Sequence, residues 1–196
     1  MKLSKDFRSS AVNEELFSDV NEDKFSMTID PKSMNHIIAR LTDLYADPIV
    51  ATVREIISNA IDATRAIPEE KRKPIDIFVP TLMSSEFDVT DHALGLSLSE
   101  IKNIYTRYGA STKESDFSQI GAYGLGSKAP LSYTAEFTVE TAKDGMYTSI
   151  LVTVENGINT VKILAHETTD KDNFMKVSIP VKKEDIDFFA NALKTY

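Results

Sequence analysis

The chain of 196 residues contains no cysteine. That absence excludes a disulfide framework and any thiolate ligand or nucleophile. No apolar run approaches the roughly 18 residues that a membrane-spanning helix needs. Met1-Lys2-Leu3 is not followed by an apolar stretch, so no secretory signal peptide is expected and a cytoplasmic location is. Basic residues are in short supply: 22 Lys and Arg stand against 30 Asp and Glu, a formal net charge of −8. A chain of that sign presents no default surface for nucleic acid, and no direct nucleic-acid binding is expected of it. The one tight basic run, Lys71-Arg72-Lys73, reads as a solvated loop. Glycine is scarce, yet three of the seven glycines crowd into "IGAYGLGSKAPLSY", residues 120–133. Glycine this dense marks either a turn or backbone that a ligand approaches closely.

What is present suffices for a core, since 42% of the residues are hydrophobic. The length fits one domain, read as residues 25–196, with a polar and charged N-terminal arm at 1–24. Residues 25–29 alternate as a strand, and 33–45 carry apolar residues at helical spacing. Asp47-Pro48 is a helix start, with Asp as cap and Pro in the first turn; that helix is expected to reach Ala66 and stop before Pro68. Residues 74–80 and 86–90 read as strands, 98–108 as a helix, and another helix is expected from Ser127. The last third is β-rich, with strands at 135–142, 147–155, 159–165 and 175–181 and a closing helix at 184–193. Asp144-Gly145 and Asn156-Gly157 between the first three are hairpin turns. Helices early and an antiparallel meander late predict an α+β fold: a two-layer sandwich, its sheet mixed but mostly antiparallel, its helices on one face.

Three stretches carry candidate chemistry. On the first helix Glu55, Asn59 and Asp62 share a narrow stripe opposite Ile49, Val53, Ile56, Ile57, Ala60 and Ile61. The stripe is either the wet face of an amphipathic helix or one wall of a pocket. In a pocket, Glu55 could act as general base on a water and the Asn59 carbonyl could hold Mg²⁺, a cation that prefers oxygen. In the strand "FDVTD", Phe87, Val89 and Asp91 share a face. Either the strand ends at Thr90 and Asp91 turns to solvent, or Asp91 is a carboxylate at the edge of the core awaiting a donor. An ionised carboxylate only accepts, so a purine amino group is a suitable donor. Gly121, Gly124 and Gly126 follow G-x-x-G-x-G. This is neither a dinucleotide fingerprint nor a Walker A loop. A glycine loop that runs into a helix start can still hold phosphate, with Ser127 and Lys128 as further donors.

The ordered set Glu55-x-x-x-Asn59-x-x-Asp62-Ala63, Asp91-x-Ala93-x-Gly95 and Gly121-x-x-Gly124-x-Gly126 resembles the Bergerat (GHKL) ATP-binding fold of gyrase B, Hsp90, histidine kinases and MutL. "VREIISNAIDA" looks most like the corresponding Hsp90 helix, and the likeness spans residues 25–189. "YGASTKES", "IGAYGLGSKAPLSYTAEFTV" and "VSIPVKKEDIDFF" further resemble the N-terminal ATPase region of the T-even phage rIIA proteins, which are longer chains. The resemblance implies that Glu55 is the general base and that Asn59 is the Mg²⁺ ligand. It implies that Asp62 supports the same helix face, that Asp91 reads the adenine amino group, and that Gly95 lets the base approach. Gly121, Gly124 and Gly126 would form the ATP lid, with Ser127 and Lys128 near the phosphates and Ser111, Thr112 and Lys113 leading into it. ATP and Mg²⁺ are the implied cofactors, and an ATP-dependent homodimer the implied assembly. An unidentified protein partner, with a role in lysis control and phage–host conflict, follows from the rIIA likeness.

Two positions depart from the pattern. Ala93 stands where the family has the first glycine of Asp-x-Gly-x-Gly. Phe174-Met175 stands where the family often has Gly-Thr, so the hydroxyl that supports the Asp–adenine contact is missing, with Ser178 or Thr90 as substitutes. Alternatives to an ATPase switch are a degenerate scaffold that binds little nucleotide, and an ATPase domain of a gyrase- or MutL-like DNA-transaction protein.

Overall fold

The computed structural model describes residues 47–106, 126–155 and 158–194. The expected arm, the strand at 25–29, the helix at 33–45 and the turn at Asn156-Gly157 lie outside the described residues.

The first described helix, α1, runs Pro48–Arg65. Its start follows from local chemistry. Asp47 Oδ1 accepts from Ile49 N and Val50 N, both at 3.0 Å, and so satisfies two amides that no helical carbonyl reaches. Asp47→Ala is therefore expected to destabilise the fold by about 1 kcal/mol. A urea titration should show a lower midpoint with an unchanged slope, and an unmoved midpoint would count against the cap.

The strands are β1 (Asp76–Phe78), β2 (Glu86–Asp91), β3 (Glu136–Lys143), β4 (Met146–Glu155), β5 (Ile158–Thr168) and β6 (Phe174–Pro180). Helix α2 (Leu98–Thr106) follows β2, and α3 (Ile186–Leu193) closes the described chain. Among the described residues the six strands form one sheet in the order β1-β2-β6-β3-β4-β5, with every pairing antiparallel. The expected α+β architecture is the one observed. The turn between β3 and β4 is the expected one: Asp144 and Gly145 both have positive φ, 51° and 77°, as the mirror-image hairpin turn requires.

Period-two alternation decides which face is covered. Phe87 and Val89 of β2, Val177 and Ile179 of β6, Phe137 and Val139 of β3, and Ile150 and Val152 of β4 are buried in one cluster. Val53, Ile56, Ile57 and Ala60 of α1, Ile101 and Tyr105 of α2, and Phe189 of α3 complete it. Phe189 packs between Phe87, tilted at 5.3 Å, and Tyr133, edge-on at 5.0 Å. The helices thus lie on the face that Asp91 shares.

One expected element differs. The segment from Ser127 is a seven-residue 3₁₀ helix, Gly126–Ser132, not an α-helix. Pro130 lies inside it and has no N–H to close the first α-type bond. The Ala129 carbonyl accepts instead from Ser132 Oγ at 2.7 Å and from Thr52 Oγ1 at 3.3 Å, which ties the segment to α1.

Candidate functional site

The alternation of β2 carries it through to Asp91, so the strand does not stop at Thr90. Asp91 is 5% exposed and lies at the end of the apolar row Phe87, Val89, Asp91. Its Oδ1 accepts from Ala93 N at 3.1 Å. Burial pushes the Asp91 carboxyl up to about 6, against the opposing pull of that amide and of the neighbouring His92. His92 itself turns outward to Asp76, Nε2 to Oδ2 2.7 Å.

A cleft of about 40 Å³ opens in front of this carboxylate. Ile56, Ala60, Val89, Val177 and Met175 give it apolar walls, and Asn59, Asp91 and Ser127 supply polar groups. Tyr105, Gly126 and Pro130 complete the lining. Burial and the nearby Asp91 charge push the Tyr105 hydroxyl above its ordinary range.

Glu55 stands one turn before Asn59 on α1 and is 8% exposed. Arg54 Nη2 donates to its Oε1 at 3.2 Å. A Cβ placed on Gly126 would lie 2.6 Å from Glu55 Oε2 and 3.9 Å from Asn59 Nδ2. The Gly126 backbone therefore sits against the Glu55 carboxylate and near Asn59, and a side chain at 126 would require that carboxylate to swing aside. The sequence stripe and the last glycine of the glycine-rich stretch do meet. Asp62, a turn further along α1, is half-buried and is not part of the cleft lining.

Lys128 is held against α2. It is 5% exposed, and its Nζ donates to Ile104 O of α2 at 2.6 Å, with Ser127 Oγ at 3.5 Å. Burial lowers its ammonium to about 8. Ala93 is buried and contributes its amide to Asp91. Gly95, at φ +63°, serves the sheet: an added Cβ would lie 2.2 Å from Ala142 O of β3. Neither Ala93 nor Gly95 lines the cleft. Ser111, Thr112, Lys113, Gly121 and Gly124 lie outside the described residues.

The substitutes suggested for the missing hydroxyl do not reach Asp91. Thr90 points to the opposite face of β2, because neighbours on a strand alternate. Ser178 pairs with Asp88, which is on that same opposite face. Met175 is the direct register partner of Asp91 and lines the cleft. Sequence periodicity does not single out Tyr105, which is one apolar position of a helical pattern. Thr141 escapes it too, although a hydroxyl in the third place of the core alternation Phe137, Val139, Thr141 is a signal.

An acid at the end of a core strand thus shares a cleft with Asn59 of α1 and with Gly126, whose backbone also lies against Glu55. Residues 48–185 match the family described as histidine kinase-, DNA gyrase B-, and HSP90-like ATPase, and the chain belongs to that family. Among its relatives is the B subunit of the type 2 DNA topoisomerase 6 of Saccharolobus islandicus (strain Y.N.15.51 / Yellowstone #2), 32% identical over 91 residues. The same proteins of Saccharolobus solfataricus and Saccharolobus shibatae are 32% identical over 91 residues as well. Each match covers 45% of this chain and 17% of the relative, so the shared stretch is a small part of those proteins.

Proposed function

We propose that this chain binds ATP with Mg²⁺ in the cleft and hydrolyses it slowly, as a switch that couples nucleotide to closure of the glycine-rich segment and to pairing of two copies. The observation that carries this reading is that Asn59, Gly126 and Asp91 line one cleft, with Glu55 against the Gly126 backbone. The apolar walls suit a flat base, and Asp91 suits its amino group. Asn59 offers a hard oxygen for Mg²⁺. Held through Asn59, Mg²⁺ would supply charge neutralisation at the phosphates. Glu55 takes a proton from the water whose oxygen bonds to the γ-phosphorus as the bond to the β–γ bridging oxygen breaks, and ADP and phosphate leave. A cleft of 40 Å³ has room for only a few waters, so the segment from Gly126 moves outward to admit the nucleotide. Lys128 reaches phosphate by leaving the Ile104 carbonyl.

Calorimetric titration with ATP, ADP and GTP in Mg²⁺ tests this. ATP and ADP are expected to bind, and GTP more weakly by about tenfold or more, because its carbonyl would face the Asp91 acceptor. No heat and no thermal shift at millimolar nucleotide would favour a scaffold without nucleotide.

For the biological output, the likeness to the B subunits of topoisomerase 6 favours an ATPase domain of a DNA-transaction protein. The net charge of −8 speaks against a DNA-binding surface on this domain itself. The rIIA-like stretches support a second output, lysis control through a protein partner. ATP-dependent affinity for relaxed or supercoiled DNA in the full-length protein separates the two. No helix among the described residues is long and apolar enough to cross a membrane.

A further inference from the structure

We propose that Thr141 is a positioning residue for the nucleotide base: a buried hydroxyl that clamps together the two backbone segments flanking Asp91. The inference rests on the nucleotide reading of the cleft. It starts from a row across the sheet. Asp91 of β2 pairs with Met175 of β6, and Met175 pairs with Thr141 of β3. Register partners emerge on the same face, so these three side chains stand side by side beneath α2 and its preceding turn.

Thr141 is completely buried, and a hydroxyl in that setting must find partners. It uses both its capacities. Oγ1 donates to Phe174 O at 2.8 Å and accepts from Leu96 N at 2.8 Å. Phe174 immediately precedes Met175, the neighbour of Asp91. Leu96 belongs to the turn that leaves Asp91 and enters α2. One hydroxyl thus ties the turn after the carboxylate to the strand beside it. Gly95 makes this approach feasible, since a Cβ there would lie 3.0 Å from both Phe174 O and Thr141 Oγ1. The same turn holds Asp91 Oδ1 through Ala93 N. A carboxylate that reads one amino group must be held to within roughly 0.5 Å of its working position. The Thr141 bridge supplies that restraint from a place that touches no ligand. It also replaces, by a different route, the support that Met175 cannot give. Glu55, Asn59 and Gly126 are not in this network, so the effect of Thr141 falls on the base.

The test uses three variants and three ligands. Thr141→Val keeps the shape and leaves Leu96 N and Phe174 O without the hydroxyl. Thr141→Ser restores it. Thr148→Val removes an equally buried hydroxyl on β4, one whose partner is His166 Nδ1 at 2.9 Å. Dissociation constants for ATP, ADP and adenosine are measured by calorimetry with Mg²⁺, well below each melting midpoint. Thr141→Val is expected to weaken all three by the same factor, about tenfold. Thr141→Ser and Thr148→Val are expected to stay within about threefold of wild type, even where Thr148→Val lowers the melting midpoint as much as Thr141→Val. Wild-type affinity in Thr141→Val overturns the proposal, and so does an equal loss in Thr148→Val, which would mean general loosening. A wild-type chain that binds none of the ligands overturns the nucleotide reading first and this inference with it. If Thr141→Val does not fold, Thr141→Ala, with room for a bridging water, is judged by the same criteria.

Discussion

Glu55→Ala loses ATP hydrolysis by about 100-fold or more and keeps nucleotide affinity within about threefold, because a positioned general base contributes roughly 10²–10⁴ in rate and little to ground-state binding. The geometry gives this expectation its shape. Glu55 is 8% exposed, yet its only hydrogen bond among the described residues is from the half-exposed Arg54 to Oε1. Its other oxygen is turned to the Gly126 backbone. A carboxylate held this way is not a structural ion pair of much weight, since one partner is largely in water. Its burial beside Asn59 has a ready explanation if a water comes to Oε2 when the glycine segment moves. Glu55→Gln separates the contributions: it keeps the shape and the contact with Arg54 but cannot take a proton. Both variants should release phosphate at the background rate in a steady-state assay, with calorimetric ATP affinity retained. Rates equal to wild type in either would remove Glu55 from the role of base.

Asp91→Asn weakens ATP binding by about 10- to 100-fold, the range expected when a hydrogen bond to a charged acceptor is lost, and it leaves stability at pH 7 equal or higher. The two effects have opposite signs for one reason. The folded-state value of Asp91 is raised from 3.8 to about 6 by burial. A raised carboxyl favours the fold most when protonated. Its contribution is fully present below about pH 4 and is lost as pH rises through about 6, by an amount on the order of 3 kcal/mol or less. At pH 7 the wild-type fold therefore carries an ionised, buried carboxylate at a cost, and Asn removes that cost. Ligand binding runs the other way, since only the ionised form is purely an acceptor. Wild-type ATP affinity should improve between pH 5 and pH 7, and that of Asp91→Asn should be flat. Chemical denaturation from pH 4 to 8 and calorimetry over the same range read both halves. Unchanged ATP affinity in Asp91→Asn would remove Asp91 from base recognition. A lower stability of that variant at pH 7 would show that its burial serves the fold.

Much of the architecture is legible in the sequence because it is local. Asp47-Pro48 starts α1 through bonds that span three residues, and Asp144-Gly145 turns β3 into β4 through its own two dihedral angles. The alternation Phe87, Val89, Asp91 puts the carboxylate on the same face as two apolar residues, and the packing of the helices makes that face the covered one. Where local chemistry is mixed, the sequence does not settle what a residue packs against. Lys128 follows a glycine loop, which suggests a ligand, but the 3₁₀ turn imposed by Pro130 goes with a side chain that points to Ile104 O. Gly95 suggests close approach of backbone, and the neighbour that a side chain there would meet is the Ala142 carbonyl of β3, a strand two places from β2 in the sheet order.

The sequence alone determined the order of the elements, the acidic character, and the face of α1 on which Glu55 and Asn59 lie. All of these follow from helical and strand periodicity and from side-chain charge. Only the tertiary structure decided that Gly126 closes on Glu55, that Met175 and not a hydroxyl stands beside Asp91, and that Thr141 anchors the turn after it. Those facts depend on strand register across β2, β6 and β3, and register is set by packing between segments far apart in the chain, which no local periodicity encodes.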